Sequence, residues 1–332
     1  MLYKMLSIVN IAMTKNPQLK PKIGISACLL GEKVRFDGGH KRDRFLTDLF
    51  GKFVDWVPVC PEMEVGMGVP RETVRLVGEP SHAKMIAEKS GRDWTAEMQK
   101  FSVKRISQLS GQELSGYIFK KSSPSCGMER VKLYSHGAPP SRLGRGLFAA
   151  AVMERLPLLP VEEEGRLNDL ALRENFIERV FAYRRWQDAL AAPRSVSTLI
   201  EFHTRHKFFL LAHSERHYRQ LGRIVAKANK STLAQAYDDY GRLFMEGLAH
   251  HATAKTHTNV LDHMMGYFSK ELSAPERQEL VGLILDYRRQ LIPLIVPITL
   301  IRHYTQKYQV GYLEGQVYLE PSPKELMLRN HV

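Results

Sequence analysis

The chain holds three cysteines in 332 residues, and each closes a short apolar run at a turn-forming residue. Cys28 lies in Gly24-Ile-Ser-Ala-Cys-Leu-Leu-Gly31, Cys60 in Val59-Cys-Pro-Glu62, and Cys126 in Lys121-Ser-Ser-Pro-Ser-Cys-Gly127. An apolar run that meets Gly or Pro is where an α/β fold passes from strand to loop. The runs at 22–27, 53–59 and 114–119 are therefore expected as strands, each leading into a cysteine-bearing loop. Between them, 91–109 has helical spacing, with Trp94, Met98, Phe101 and Ile106 on one face. A further helix is expected at 142–154, closed by Leu156-Pro-Leu-Leu-Pro160. Strands alternating with helices imply a mostly parallel sheet, with ligands bound beyond the carboxyl ends of its strands.

Downstream the pattern becomes helical almost throughout. An amphipathic stretch at 168–190 reads as a connecting helix, broken by Ala191-Ala-Pro-Arg-Ser195, with Ser195 the expected N-cap of the next. Helical spans follow at 196–212, 214–229, 231–250, 256–271, 275–291 and 294–308, with Pro275 marking a start and Pro293 and Pro297 a break and restart. The expected organisation is an N-terminal extension at 1–21, an α/β domain at 22–160, a connecting helix at 161–194, and an all-α helical bundle at 195–320.

A length of 332 residues suits two domains. The net charge of +13 is unevenly placed. Residues 1–150 carry 24 Lys and Arg against 14 Asp and Glu, whereas 151–332 carry 24 against 21. Within the second half, 194–230 has 8 basic against 2 acidic residues, a block that fits a polyanion or, equally, a solvated face. No apolar run reaches the length of a membrane span, and the first 13 residues make a poor signal peptide, with Met13 an alternative start.

Three thiolates converging from three strand ends can hold three irons of a [4Fe-4S] cluster and leave the fourth open. The spacings of 32 and 66 residues match no standard ferredoxin or zinc pattern, so spacing neither identifies a metal nor excludes one. Zinc with an open fourth position, or three inert buried thiols, are the alternatives.

Residues from about 22 to 155 resemble the thiouracil desulfidase (TudS-like) family. The resemblance rests on Ile25-Ser-Ala-Cys-Leu-Leu-Gly31, Val34-Arg-Phe-Asp-Gly38, Cys60-Pro-Glu-Met-Glu-Val-Gly66, Pro70-Arg71 and Lys121-Ser-Ser-Pro-Ser-Cys-Gly127, in that order. It implies that Cys28, Cys60 and Cys126 bind a [4Fe-4S] cluster whose fourth iron takes the substrate sulfur. It further implies that C=S becomes C=O on a thiolated pyrimidine, that Glu62 is the catalytic carboxylate and that Ser122 is the active-site serine. One departure, Met63-Glu-Val-Gly-Met-Gly68 where many members have Gly-Gly-Leu, bears on pocket shape. Residues from about 195 to 310 resemble a second family, the YbgA-like helical domain, through Phe202-His-Thr-Arg-His-Lys-Phe-Phe-Leu-Leu-Ala-His-Ser214 and Leu221-Gly222. The fusion of the two implies desulfidation of thiouridine in RNA.

On the residues themselves, Glu62 follows Cys60 past a stiffening proline and, away from bulk water, suits a general base; a pair with Arg71 is the structural alternative. Ser122 and Ser123, with Ser125 nearby, can orient water or a pyrimidine edge, or merely cap a helix. Lys121, like Arg35, can face an anionic thiolate or phosphate. Asp37 can line the pocket or simply form the Asp37-Gly-Gly39 turn. Arg205, Lys207, Arg216, Arg219 and Arg223 are candidate phosphate contacts, or partners of acids on the connecting helix. His203, His206 and His213 are structural or RNA-facing, and no second metal is expected. Together these features point to a cytoplasmic, iron-sulfur-dependent, non-redox desulfidase of 4-thiouridine in tRNA, with no membrane or DNA partner. A desulfidase of free thiouracil or a thionucleoside, and a non-catalytic iron-sulfur RNA-binding regulator, are the rivals.

Overall fold

The computed structural model describes residues 20–135 and 137–332, so all but Lys20 and Pro21 of the expected N-terminal extension lies outside the described residues. The strands run β1 (Lys22–Ser26), β2 (Asp55–Val59), β3 (Val74–Val77), β4 (Lys84–Ala87), β5 (Leu114–Phe119), β6 (Val131–Tyr134), β7 (Ser141–Gly144) and β8 (Val161–Glu163). The helices run α1 (Pro61–Glu64), α2 (Thr95–Ser110), α3 (Leu147–Arg155), α4 (Leu170–Ala191), α5 (Val196–His213), α6 (Glu215–Lys227), α7 (Leu233–Leu248), α8 (Ala254–Met265), α9 (Ala274–Arg288) and α10 (Ile295–Lys307).

One sheet, in the order β2-β1-β5-β8, is parallel throughout. Its central strand β5 is buried at every residue, as a strand covered on both faces must be. The β1–β2 register pairs Lys22 with Asp55 and Ser26 with Val59, so both strands finish at the same level. Cys28 and Cys60 leave from those neighbouring ends, and the Cys126 loop leaves from β5 beside them. A second sheet, ordered β4-β3-β6-β7, mixes parallel and antiparallel pairs. It corrects the expected helix at 142–154: Ser141–Gly144 pairs with β6, and the helix begins only at Leu147. Four-residue strands are too short for periodicity to separate them from a helix start.

α4 joins the two halves. It is N-capped by Asp169, whose carboxylate accepts from Leu172 N at 3.0 Å. Phe176, Ile177 and Val180 enter the core beneath β1, while Ala182 and Trp186 enter the core of the helical half. Leu326 and Leu328 of the C-terminal segment also pack into the core beneath β1. The helical half comprises α5–α10, with capping boxes at Ser195, Thr253 and Ser273. Ser214 ends α5 and N-caps α6, accepting from His217 N. Among the described residues, no helix is long and apolar enough to cross a membrane.

Candidate active site

Each cysteine is fixed by the turn or loop that follows its strand. Cys28 sits in a single 3-10 turn, Ala27–Leu30, closed by Gly31 at φ 98°, a conformation glycine adopts without the steric cost of a Cβ. Cys60 is extended, as a residue before proline prefers, and N-caps the one-turn helix α1. Its N–H donates to Glu64 Oε1 at 3.1 Å, and its thiol faces Val34 O at 3.8 Å. Cys126 lies in the loop after β5. There Cys126 N donates to Ser123 Oγ at 3.1 Å and Gly127 N to Ser123 O at 2.8 Å. A Cβ on Gly127 would lie 2.3 Å from Val131 Cγ2 and 2.9 Å from Ser123 O, so no side chain fits. The loop rests on the start of α3, where Leu147 N donates to Pro124 O at 3.1 Å and Phe148 N to Ser125 O at 3.0 Å. These are donors a helix N-terminus would otherwise leave open.

The three cysteines line one cavity of about 330 Å³ with Glu62, Arg71, Lys121, Ser122 and Ser123. Burial pushes the Cys28 thiol up to about 11, against the pull of Lys120 and Arg35. Burial also raises Cys60 and Cys126, and the charge of Glu62 adds to the rise at both. Without a metal these are protonated, weakly reactive thiols. Among the described residues no group of three His, Cys, Asp or Glu side chains is placed to hold a metal ion.

Glu62 is paired with Arg71, the alternative that its sequence context left open. Its Oε2 accepts from Arg71 Nε at 3.0 Å and Nη2 at 2.6 Å. Its Oε1 accepts from Ser125 Oγ at 2.7 Å, with Ser123 Oγ at 3.4 Å. Arg71 spends its other donors on Val34 O at 3.0 Å and Gly68 O at 2.9 Å, so the guanidinium ties α1 to the loop after Cys28. Arg71 and Ser125 are the residues that sequence reasoning undervalued. Their signals were Pro70-Arg71 among the motifs and a serine directly before Cys126.

The remaining candidates divide. Ser122 is on the cavity wall with φ 60°, a left-handed backbone unusual for serine. Lys121 N donates to Glu164 Oε2 at 2.8 Å, while Lys120 forms an ion pair with the same carboxylate. Asp37 stands outside the cavity lining and turns back on its own loop, accepting from Gly39 N at 3.0 Å. That hydrogen bond holds its carboxyl below the usual range, with Arg35 helping. In the helical half, the break at Ser214 puts Arg205 on α5 and Arg216, Arg219 and Arg223 on α6, so the basic residues do not share one helix. Arg219 pairs with Glu215 within α6 at 2.5 Å. Lys207 Nζ is 3.1 Å from Tyr267 OH and 4.3 Å from the centre of the Tyr312 ring. His206 and His213 are buried and donate or accept within the bundle, and His203 is held by Tyr240 OH at 3.1 Å.

An α/β unit presenting three cysteines beyond three parallel strand ends, joined through a shared helix to an all-α unit, is the class of protein this geometry defines. A family model described as 2-thiouracil desulfurase matches residues 23–164, and one described as a protein of unknown function, DUF1722, matches 207–323. Uncharacterized protein YbgA of Escherichia coli (strain K12) is 40% identical over 133 residues, 40% of this chain and 79% of that protein. Uncharacterized protein YbbK of Bacillus subtilis (strain 168) is 30% identical over 112 residues, 31% of this chain and 71% of that protein. A solved structure of a [4Fe-4S]-dependent thiouracil desulfidase, TudS, is 32% identical, covering 46% of this chain and 97% of that one, with a TM-score of 0.39. The chain belongs to the TudS-like 2-thiouracil desulfurase family, in a fusion with a YbgA-like DUF1722 region.

Proposed function

We propose that this chain is an iron-sulfur-dependent desulfidase that converts thiouridine in tRNA, with 4-thiouridine the favoured base, to uridine and sulfide. The observation that carries the reading is the convergence of Cys28, Cys60 and Cys126, from three adjacent parallel strands, on one cavity that also holds Glu62. Three soft thiol donors lining one cavity suit a cluster that binds cysteine thiolates. Ser125 Oγ, whose one proton goes to Glu62 at 2.7 Å, stands 3.6 Å from Cys126 Sγ and so links the carboxylate to that sulfur. Cys28, Cys60 and Cys126 would hold a [4Fe-4S] cluster, the group on which the TudS relative depends by its name. When bound, the cluster supplies an iron free of protein ligands, a Lewis acid that polarises a C=S bond.

The protein's own groups do the rest. A thiolated ring enters with its sulfur toward the cysteines. Glu62 takes a proton from a water as the water attacks the thiocarbonyl carbon, and Ser122, Ser123 and Lys121 contact the ring edge. Arg71 holds the carboxylate in place, and Ser125 fixes Oε1. The C–S bond then breaks, sulfur leaves as hydrosulfide, and the water oxygen stays on carbon, with no net change of oxidation state. A base in folded RNA must leave its stack to reach the cavity. The exposed arginines of α6, with Arg205 and Lys207 on α5, supply phosphate contacts in this reading.

The test is anaerobic incubation of the cluster-loaded chain with thiolated tRNA and, in parallel, with a free thiolated base. Loss of near-UV thiouridine absorbance with sulfide release on tRNA is the expected result. Turnover of the free base alone would replace the tRNA reading, and turnover of neither would overturn the enzyme reading.

A further inference from the structure

A second cavity is larger than the cysteine cavity. It is a cleft of about 680 Å³ in the helical half, between α4, α5, α10 and the segment after α10. Arg185, Arg205 and Arg302 line it. Glu320 answers Arg302 at 3.2 Å, and Glu314 lines the cleft from an exposed position. Among the described residues Arg185 has no carboxylate in contact: the nearby Asp188 is held by Arg184 at 2.6 Å and Glu178 by Arg329 at 2.8 Å. Its one hydrogen bond among the described residues runs from Nη2 to Pro321 O at 2.9 Å, and its buried Nε has no partner. Burial pushes this guanidinium down to about 10, and Arg205 adds to the effect against the attraction of Glu178. A half-buried guanidinium with no carboxylate partner among the described residues thus faces the cleft, its Nε covered.

A second orphan lines the same cleft. Gln316 Nε2 donates to Thr204 O at 3.1 Å and Tyr312 O at 3.2 Å, which fixes the amide, and its buried Oε1 accepts from nothing. The cleft thus offers two guanidiniums without carboxylate partners and one idle acceptor. An anion that also carries a hydroxyl donor satisfies both. Guanidinium geometry matches phosphate oxygens, and about 680 Å³ is room for a drug-sized ligand.

We infer that this cleft is a binding site for a phosphate ester bearing a free hydroxyl, the chemistry of a ribonucleotide, with Arg185 and Arg205 on the phosphate and Gln316 on the hydroxyl. It is separate from the cysteine site. Arg185 also lines a smaller pocket with Lys20, Lys52 and Phe53, which precede β1 and β2, whereas the cysteines follow those strands. The inference shares Arg205 with the phosphate contacts of the proposed tRNA reading but rests on no step of the desulfidation, and its test involves no turnover.

The test is calorimetric titration and thermal melting of the full chain at fixed ionic strength. The probes are uridine monophosphate, its deoxy counterpart, inorganic phosphate and a short oligoribonucleotide, against chloride. The ribonucleotide should bind and raise the melting temperature, with the deoxy form and phosphate weaker. Arg185→Met and Arg205→Ala should each weaken it at least about tenfold, the scale of one charge-assisted hydrogen bond. Arg205 is exposed, so its variant keeps the test valid should Arg185→Met fold poorly. An oligoribonucleotide that binds more tightly per chain than the mononucleotide would make RNA the source of the phosphate, and equal binding would make it a free nucleotide. No effect beyond chloride, or binding preserved in Arg205→Ala, would overturn the site.

Discussion

Two buried polar centres of this chain are built on opposite plans. In the cysteine cavity the sulfur donors are left open: three thiols line a common space, while charged side chains around them are paired, Glu62 with Arg71 and Lys120 with Glu164. Where the two halves of the chain meet, the charges are closed on one another. Arg329 reaches back from the C-terminal segment to Glu178 at 2.8 Å and Glu174 at 3.4 Å, both on α4, and donates to Tyr318 O at 2.5 Å. His331 adds a contact to Glu174 at 2.8 Å, and His213 Nε2 stands 3.4 Å from Glu178. Burial opposes ionisation of Glu178, yet Arg329 and then His213 bring it down to about 2. A network that satisfies itself holds elements together, whereas one that stops short waits for a ligand.

The comparison can be broken most directly at the cysteines. Each of Cys28→Ala, Cys60→Ala and Cys126→Ala should abolish desulfidation and lose most of the iron, about four atoms per chain in the intact cluster, while the iron-free protein still unfolds cooperatively. Iron retained in all three variants would show that the open thiols are structural. At the junction the expectation reverses. Arg329→Met leaves Glu178 buried beside His213 alone and should cost about 3–5 kcal/mol in chemical denaturation, the usual penalty for halving a buried ion pair. A variant as stable as the parent would mean that the junction is no more closed than the cavity.

Glu62 tests the boundary between the two plans, because it is half of an ion pair inside the open site. Glu62→Gln keeps the shape and an acceptor for Ser125 but removes the charge opposite Arg71. Turnover should fall by about 10²-fold or more at unchanged iron content, the scale of removing a general base. Ser122→Ala should cost less. Near-normal turnover in Glu62→Gln, with a lower melting temperature, would make Glu62 a strut like Glu178 rather than a base.

The open site was more legible in sequence than the closed one, for a physical reason. Each cysteine loop follows its own strand, so local apolar runs and Gly or Pro punctuation announced it. The helices of the bundle were legible too: Ser195 and Ser273 cap where the pattern begins, and α5 and α9 start within a residue of expectation. The pairs that organise the junction were hidden, because Arg329 and Glu178 are 151 residues apart and no periodicity links them. The pair of Arg71 and Glu62 was named only as an alternative, because nine residues is a spacing that belongs to neither helix nor strand. The second sheet was missed because its strands are four residues long.

The smallest effect is expected at the surface of α6, where neither plan applies. Arg216, Arg219 and Arg223 are exposed and lie at i, i+3 and i+7, hence near one face. Arg219 shares Glu215, while Arg216 and Arg223 form no ion pair among the described residues. The acids of α4 to which they might have been tied are taken: Glu174 and Glu178 by Arg329, and Asp188 by Arg184. Replacing all three by Gln should therefore shift stability by no more than about 0.5 kcal/mol per site, as for ordinary surface changes. If the face carries tRNA phosphates, binding weakens and the slope of log K against log salt becomes shallower by about 0.7–0.9 for each phosphate that is no longer neutralised. Binding isotherms at several salt concentrations, run beside a melting curve, separate the outcomes. A shallower slope at constant stability makes α6 part of the RNA track, an unchanged slope removes it from the track, and a fall in melting temperature without a change of slope would show that the face is a closed structural contact after all.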